Sequence, residues 1–277
     1  AISLQIRANH YQMTYYMLML LGIYFIVYLV DSYRKKDLKQ YFRYIGVFAL
    51  AGFLSLGLNA PNILSTYDYS KYSTRSQSEL TLNPDGTEKE KTSGLDYDYI
   101  TQYSYGVFES LNLVAPRIQG GASSEDLGDK SNLYKFLIDN NVPKPQADSF
   151  IKSVPTYWGN QPILEAPAYI GASVVFLFIL ALFVVKGPFK WWLLTSFILS
   201  LLLSWGKNFP LLTNLFIDYF PFYNKFRAVS SIQIILEFAV PLLSVIGLHK
   251  FLADANLKNI KRSFAVYATP LLIILLT

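Results

Sequence analysis

Six times along the chain the apolar positions run nearly unbroken for about the length of a membrane crossing: residues 14–31, 43–59, 168–185, 189–206, 228–249 and 263–277. A bilayer core about 30 Å thick takes roughly 17 to 25 mostly apolar helical residues. Soluble core helices rarely recur at that length and apolarity. The pattern therefore predicts an all-α polytopic membrane protein with about six transmembrane helices. The last run stops at Thr277, while Ala1 is neither a methionine nor the start of a signal peptide, which reads as a segment of a longer protein.

The polar intervals fix an expected orientation. Arg34, Lys35, Lys36 and Lys39 lie in 32–42, with Arg43 at its border; Lys186 lies in the turn 186–188, with Lys190 just beyond; Lys250, Lys258, Lys261 and Arg262 lie in 250–262. If every span crosses, these three connections share one side, and the positive-inside rule makes it cytoplasmic. Residues 1–13, the long loop 60–167 and the interfacial loop 207–227 then lie on the extracytoplasmic side.

The long loop has a pattern of its own. The run SELTLNPDGTEKEK (78–91) places Asn-Pro-Asp-Gly turn chemistry between strand-like flanks and predicts a hairpin. YDYITQYSYGVFESLNLVA and SNLYKFLIDN have helical spacing, whereas QGGASSEDLGD and NNVPKPQAD read as breaker-rich connections. A mixed α/β extracytoplasmic loop is the expectation.

Composition sharpens this picture. Hydrophobic residues make up 52% of the 277 and charged ones only 16%, against about 25% charged in soluble domains. The 21 tyrosines and 20 phenylalanines suit water–lipid boundaries. A pI near 9.1 raises nucleic acid as a partner, but the cations cluster beside apolar runs, where they set membrane orientation. With no cysteine, disulfides and thiolate metal sites are excluded.

Candidate chemistry concentrates near the fifth span. Glu237 stands at bilayer depth, where a lone charge costs roughly 2.5 to 3.5 kcal/mol on insertion scales. At about 100° per residue, Arg227, Ser230, Gln233, Glu237, Pro241 and Ser244 share one stripe that can face the bundle interior. Gln233 lies one turn before Glu237, and Pro241 frees the Glu237 carbonyl. Glu237 then either packs helices together as a neutral hydrogen-bonding group or lines an outward polar cavity. Arg227, with Lys225 in the aromatic run YFPFYNKFR, is either a snorkelling anchor or a ligand for the phosphate of a lipid. His10 and Gln12 precede the first span on the same side, His10 as a boundary hydrogen bonder or as a base. Ser196, Ser200 and Ser204 recur every fourth residue and predict a close-packing face. Asp96, Asp98 and Glu109 form a solvated acidic face or a weak divalent-cation site. No cofactor motif, phosphate-cradling glycine loop or nucleophile elbow occurs.

Several runs carry a resemblance. RANHYQMTYYMLML, STYDYSKYSTRSQSELT, GLDYDYITQYSYGVFESLNLVAP, PTYWGNQPILEAPAYIGA, KWWLLTSFILSLLLSWGKNF and FPFYNKFRAVSSIQIILEFAVPLL together resemble the YfhO-type bacterial membrane proteins, over nearly the whole chain. That family is similar to the GT-C membrane glycosyltransferases. The resemblance implies a GT-C-like fold in the bacterial cytoplasmic membrane, a polyprenyl-phosphate-linked sugar donor and work on the cell envelope at the outer face. It implies a catalytic acid upstream of this segment. HYQ (His10–Gln12) matches a His-Pro-Gln-like motif with Tyr11 in place of proline, and KFRAVS (Lys225–Ser230) matches an Arg-containing pattern before a span. Two other functions are consistent with the residues. One is a transporter or flippase with Glu237 in its pathway. The other is a noncatalytic envelope scaffold that binds a protein partner through 60–167.

Overall fold

The computed structural model describes residues 2–73, 82, 86–87, 94–166 and 168–253. A short α1 (Ile2–Arg7) leads through Asn9, at φ 58°, into α2 (Tyr11–Arg34). After a turn through Lys36, at φ 59°, α3 (Leu38–Leu58) runs back beside it. The Tyr41 hydroxyl donates to the Phe25 carbonyl at 3.0 Å, and the rings of Phe25 and Phe48 meet at 5.0 Å. At the far end the Asn59 amide donates to Ser3 Oγ at 2.9 Å, which ties α1 to the end of α3 and the start of α4 (Ala60–Ser70).

The regular structure in the described part of the long loop is mainly helical. It contains α5 (Tyr97–Thr101), a 3-10 turn over Phe108–Leu113, α6 (Asn132–Asp139) and α7 (Lys144–Ile151). Its described residues include the isolated β-bridge Glu125 to Val154, and nearly all of the hairpin expected at 78–91 lies outside the described residues. Residues 144–148 of the expected connection NNVPKPQAD instead start α7, because Pro145 favours the first turn and Ala147 and Ile151 bury one turn apart.

The remaining apolar runs form α8 (Ala172–Val184), α9 (Pro188–Ser204), α10 (Pro210–Tyr219) and α11 (Ile234–Ala253), the last preceded by a 3-10 turn over Val229–Gln233. Among the described residues, three segments are long and apolar enough to cross a bilayer: Tyr11–Arg34, Leu38–Leu58 and Val229–Ala253. The chain is a membrane protein. α8 and α9 are shorter, at 13 and 17 residues, so α8 covers only about 20 Å. The run expected to begin at 168 becomes helical only after Gly171, whose φ of 106° breaks the helix before it starts. The expected run 263–277 lies outside the described residues.

The helices alternate in direction. Lys190 Nζ donates to the Leu182 carbonyl at 3.3 Å across the α8–α9 turn, and higher up the rings of Phe178 and Phe197 meet at 5.1 Å. Trp192 Nε1 donates to the Leu20 carbonyl at 2.9 Å, while Tyr16 packs with Leu203, so α9 also runs against α2. The basic turns at 35–37 and 185–187 therefore lie at one end of the bundle. α1, the long loop and α10 lie at the other.

α11 buries Ile235, Leu236, Ala239, Val240, Leu243 and Gly247 against α8 and α9. This seam corrects the expected polar stripe. Gln233 and Ser244 fall inside it, but Glu237 is exposed beside Ile234 and Phe238. The serine face is as expected: Ser196, Ser200 and Ser204 are fully buried and return their hydroxyls to carbonyls of their own helix.

Candidate functional site

The loop end of the bundle is stitched together by residues far apart in sequence. Tyr105 N–H donates to the Ser204 carbonyl at 2.8 Å, Ser230 N–H to Tyr103 O at 3.1 Å, and Ala228 N–H to Ile100 O at 3.1 Å. Ser104 Oγ accepts from Lys207 N–H at 3.0 Å. Gly206 makes this approach possible, since a Cβ there would stand 2.1 Å from Ser104 Oγ, and its φ of 48° suits glycine. The consequence is that α5 lies across the end of α9 and the entrance of α11.

Arg227 meets α5. Its Nη1 donates to the Tyr99 hydroxyl at 2.6 Å, and the guanidinium carbon lies 5.1 Å from the Tyr99 ring and 5.8 Å from the Tyr103 ring. The Arg227 carbonyl accepts from Gln12 Nε2 at 2.7 Å, and the same nitrogen lies 2.8 Å from the Tyr16 hydroxyl. Gln12 and Arg227, 215 positions apart, are thus neighbours. His10 stands nearby as the cap of α2, with Nδ1 accepting from Met13 N–H at 3.4 Å. Lys225 closes a 3-10 turn over Tyr223–Lys225, and its partial burial lowers the ammonium pKa from its usual range. Gln233 belongs to a different contact, donating to Ser204 Oγ at 3.3 Å inside the bundle. Glu237 lies apart from all of these.

Beside Tyr99 opens a cavity of about 500 Å³, lined by Asp98, Tyr99, Gln102, Asn160 and Lys207 among others. Lys207 is the residue that sequence reasoning did not single out. It follows α9 just as Arg227 precedes α11, a cation at the end of the bundle opposite the basic turns. Among the described residues neither cation has an ion-pair partner. A second cavity of about 570 Å³ is lined by Leu95, Tyr97, Asn214, Asp218 and Asn224 among others.

The acidic set divides. Asp98 lines the first cavity, whereas Glu109 is fully buried and lies on no solvated face. Its carboxylate accepts from Gly106 N–H at 2.9 Å, Tyr157 O–H at 2.7 Å and Gln161 Nε2 at 3.0 Å. Burial pushes the Tyr157 hydroxyl up to about 12, so it remains a donor. Among the described residues no group of three or more acidic, histidine or cysteine side chains gathers to hold a metal.

Comparison with known protein families, with curated proteins and with solved structures returns no match.

Proposed function

We propose that the protein is a membrane glycosyltransferase of the GT-C type, drawing on a polyprenyl-phosphate-linked sugar. The observation that carries this reading is a polar cavity at the end of the bundle lined by Lys207 and Tyr99, with Arg227 hydrogen-bonded to the Tyr99 hydroxyl and neither cation in an ion pair among the described residues. Guanidinium and ammonium donors fit phosphate oxygens, and lipid phosphates lie at such a boundary. When the sugar's C1–O bond to phosphate breaks, negative charge grows on the phosphate that leaves. Donors aimed there stabilise the transition state more than the ground state. The acceptor hydroxyl forms the new bond to C1 and gives up its proton to a carboxylate acting as general base. Asp98 orients the acceptor in the cavity. In this reading the loop end faces outward from the bacterial cytoplasmic membrane, with the basic turns inside.

The test is binding of a polyprenyl phosphate to the protein in nanodiscs. Charge-assisted hydrogen bonds of about 1.5 to 3 kcal/mol give roughly ten- to hundredfold weaker binding for Lys207→Ala or Arg227→Ala. Lys190→Ala, at the opposite end, serves as the control. Equal affinity in all three variants would reject the site. The alternative of a transport pathway through Glu237 gains nothing from the structure, because this side chain is exposed on the outside of the described bundle.

A further inference from the structure

α10 carries two apolar faces, and among the described residues only one of them is packed. Phe216 is buried, with Leu212 and Ile217 packed against the same cluster, while Leu211 and Tyr219 are 78% and 81% exposed and Leu215 lies between them on the same face. Phe220 and Phe222 extend this exposed strip past the helix end. The strip has a polar border, because Asn214 and Asp218, one turn apart, turn toward the second cavity.

Position and orientation say what covers the strip. α10 stands between α9 and the segment Val229–Ala253, so it lies where membrane helices end. Its ten residues reach only about 15 Å, half of a bilayer core. It does not return alongside α9 but packs chiefly on the turns that flank it, over Gly206–Asn208 and Tyr223–Lys225. Two hydrogen bonds hold it there: Thr213 Oγ1 donates to Gly206 O at 2.8 Å, and the Tyr15 hydroxyl donates to Pro221 O at 2.8 Å. A short helix packed on the turns at the end of a membrane bundle, with exposed leucine and aromatic side chains and with Lys225 and Arg227 just beyond, has the composition of an in-plane interfacial helix.

We infer that α10 lies in the plane of the bilayer surface, with Leu211, Leu215 and Tyr219 inserted at the boundary between headgroups and acyl chains. The occupant of the exposed strip is lipid. The opposite border of the same helix then places the mouth of the Asn214–Asp218 cavity at headgroup depth, so that its ligand is presented by the membrane. The inference stands independently of phosphate binding at Lys207 and Arg227.

The sequence contains no cysteine, so single cysteines report without background. Spin labels on Leu211→Cys, Leu215→Cys, Tyr219→Cys, Asn214→Cys and Asp218→Cys are examined with the protein in phosphatidylethanolamine–phosphatidylglycerol vesicles, against oxygen and a water-soluble nickel chelate. All five positions are exposed at the surface, and a thermal melt confirms that each variant is folded. The expected result is that oxygen dominates at 211, 215 and 219, at one shared depth about 5 to 10 Å into the boundary. The chelate dominates at 214 and 218. Chelate dominance at all five positions would place α10 in water and overturn the inference. So would shielding of 211, 215 and 219 from both reagents, which would mean a protein partner, or a depth that increases steadily along the helix.

Discussion

A Cβ on Gly247 would stand 2.3 Å from the Cβ of Ala181 and 2.7 Å from its Cα, so α11 and α8 approach there nearly backbone to backbone. Ser244, one turn earlier, donates its hydroxyl to the Val174 carbonyl at 2.9 Å. These two contacts hold the most extensive helix pair among the described residues. Small residues allow such approaches in a membrane, where dispersion replaces the hydrophobic drive between helices.

Gly247→Ala should therefore destabilise the bundle although alanine favours helix. Neither side can yield by a rotamer change, and forced separation in a packed core costs about 1 to 3 kcal/mol. Gly52→Ala in α3, where nothing lies within 4 Å, is the matched control and should hold or gain stability. Thermal unfolding in detergent distinguishes them; equal melting temperatures would mean that the α8–α11 contact is not tight.

The bridge between Glu125 and Val154 should loosen in acid. The Arg117 guanidinium, hydrogen-bonded to Glu125 at 2.8 and 2.9 Å, and then the Thr156 hydroxyl hold the carboxyl down from about 4.5 to about 2. A depressed carboxyl contributes stability that is present above its unfolded value and disappears as pH falls through its folded one. Amide protection at Glu125 and Val154, which exchange two 3.0 Å backbone bonds, should thus fall between about pH 4.5 and 2. In Glu125→Gln it should be lower and flat over that range; an unchanged wild-type profile would refute the coupling.

Much of the architecture was legible because membrane runs announce themselves by length, as with the runs that became α2 and α3. The start of α8 was not, since it depends on the backbone of Gly171. The phase of α11 was misread for a physical reason: with apolar residues on every side, only the polar ones suggest an orientation, and they straddle the edge of the buried seam. Arg227 was legible as a cation out of place. Its meeting with Tyr99, 128 positions away, is a product of the fold, and Lys207 gains meaning only from the cavity it lines. Glu109 read as surface because carboxylates seldom bury without a cation, and three neutral donors had to be assembled around it.

Those donors make Glu109 a structural keystone of the loop. Glu109→Ala would leave Tyr157 O–H, Gln161 Nε2 and Gly106 N–H without their acceptor, at about 1 to 3 kcal/mol for each that water cannot reach. Limited proteolysis between residues 95 and 165 should accelerate strongly in this variant, and far less in Asp98→Asn, whose carboxylate lies in an open cavity. Similar cleavage of both variants would show that the buried network contributes little.

Glu237 should be dispensable to the bundle. Its carboxylate has no hydrogen-bond or ion-pair partner among the described residues, and its neighbours on the helix face, Ile234 and Phe238, are exposed apolar side chains. Helix-centre insertion scales put an acidic residue about 2.5 to 3.5 kcal/mol above neutral and leucine slightly below it. Glu237→Leu should then insert at least as well and melt no lower than the parent in nanodiscs, while Gln233→Leu, which breaks the buried bond to Ser204, melts lower. A Glu237→Leu protein that loses stability would mean that this carboxylate is gripped by something beyond the described residues. Its polar character would then serve assembly of the membrane domain.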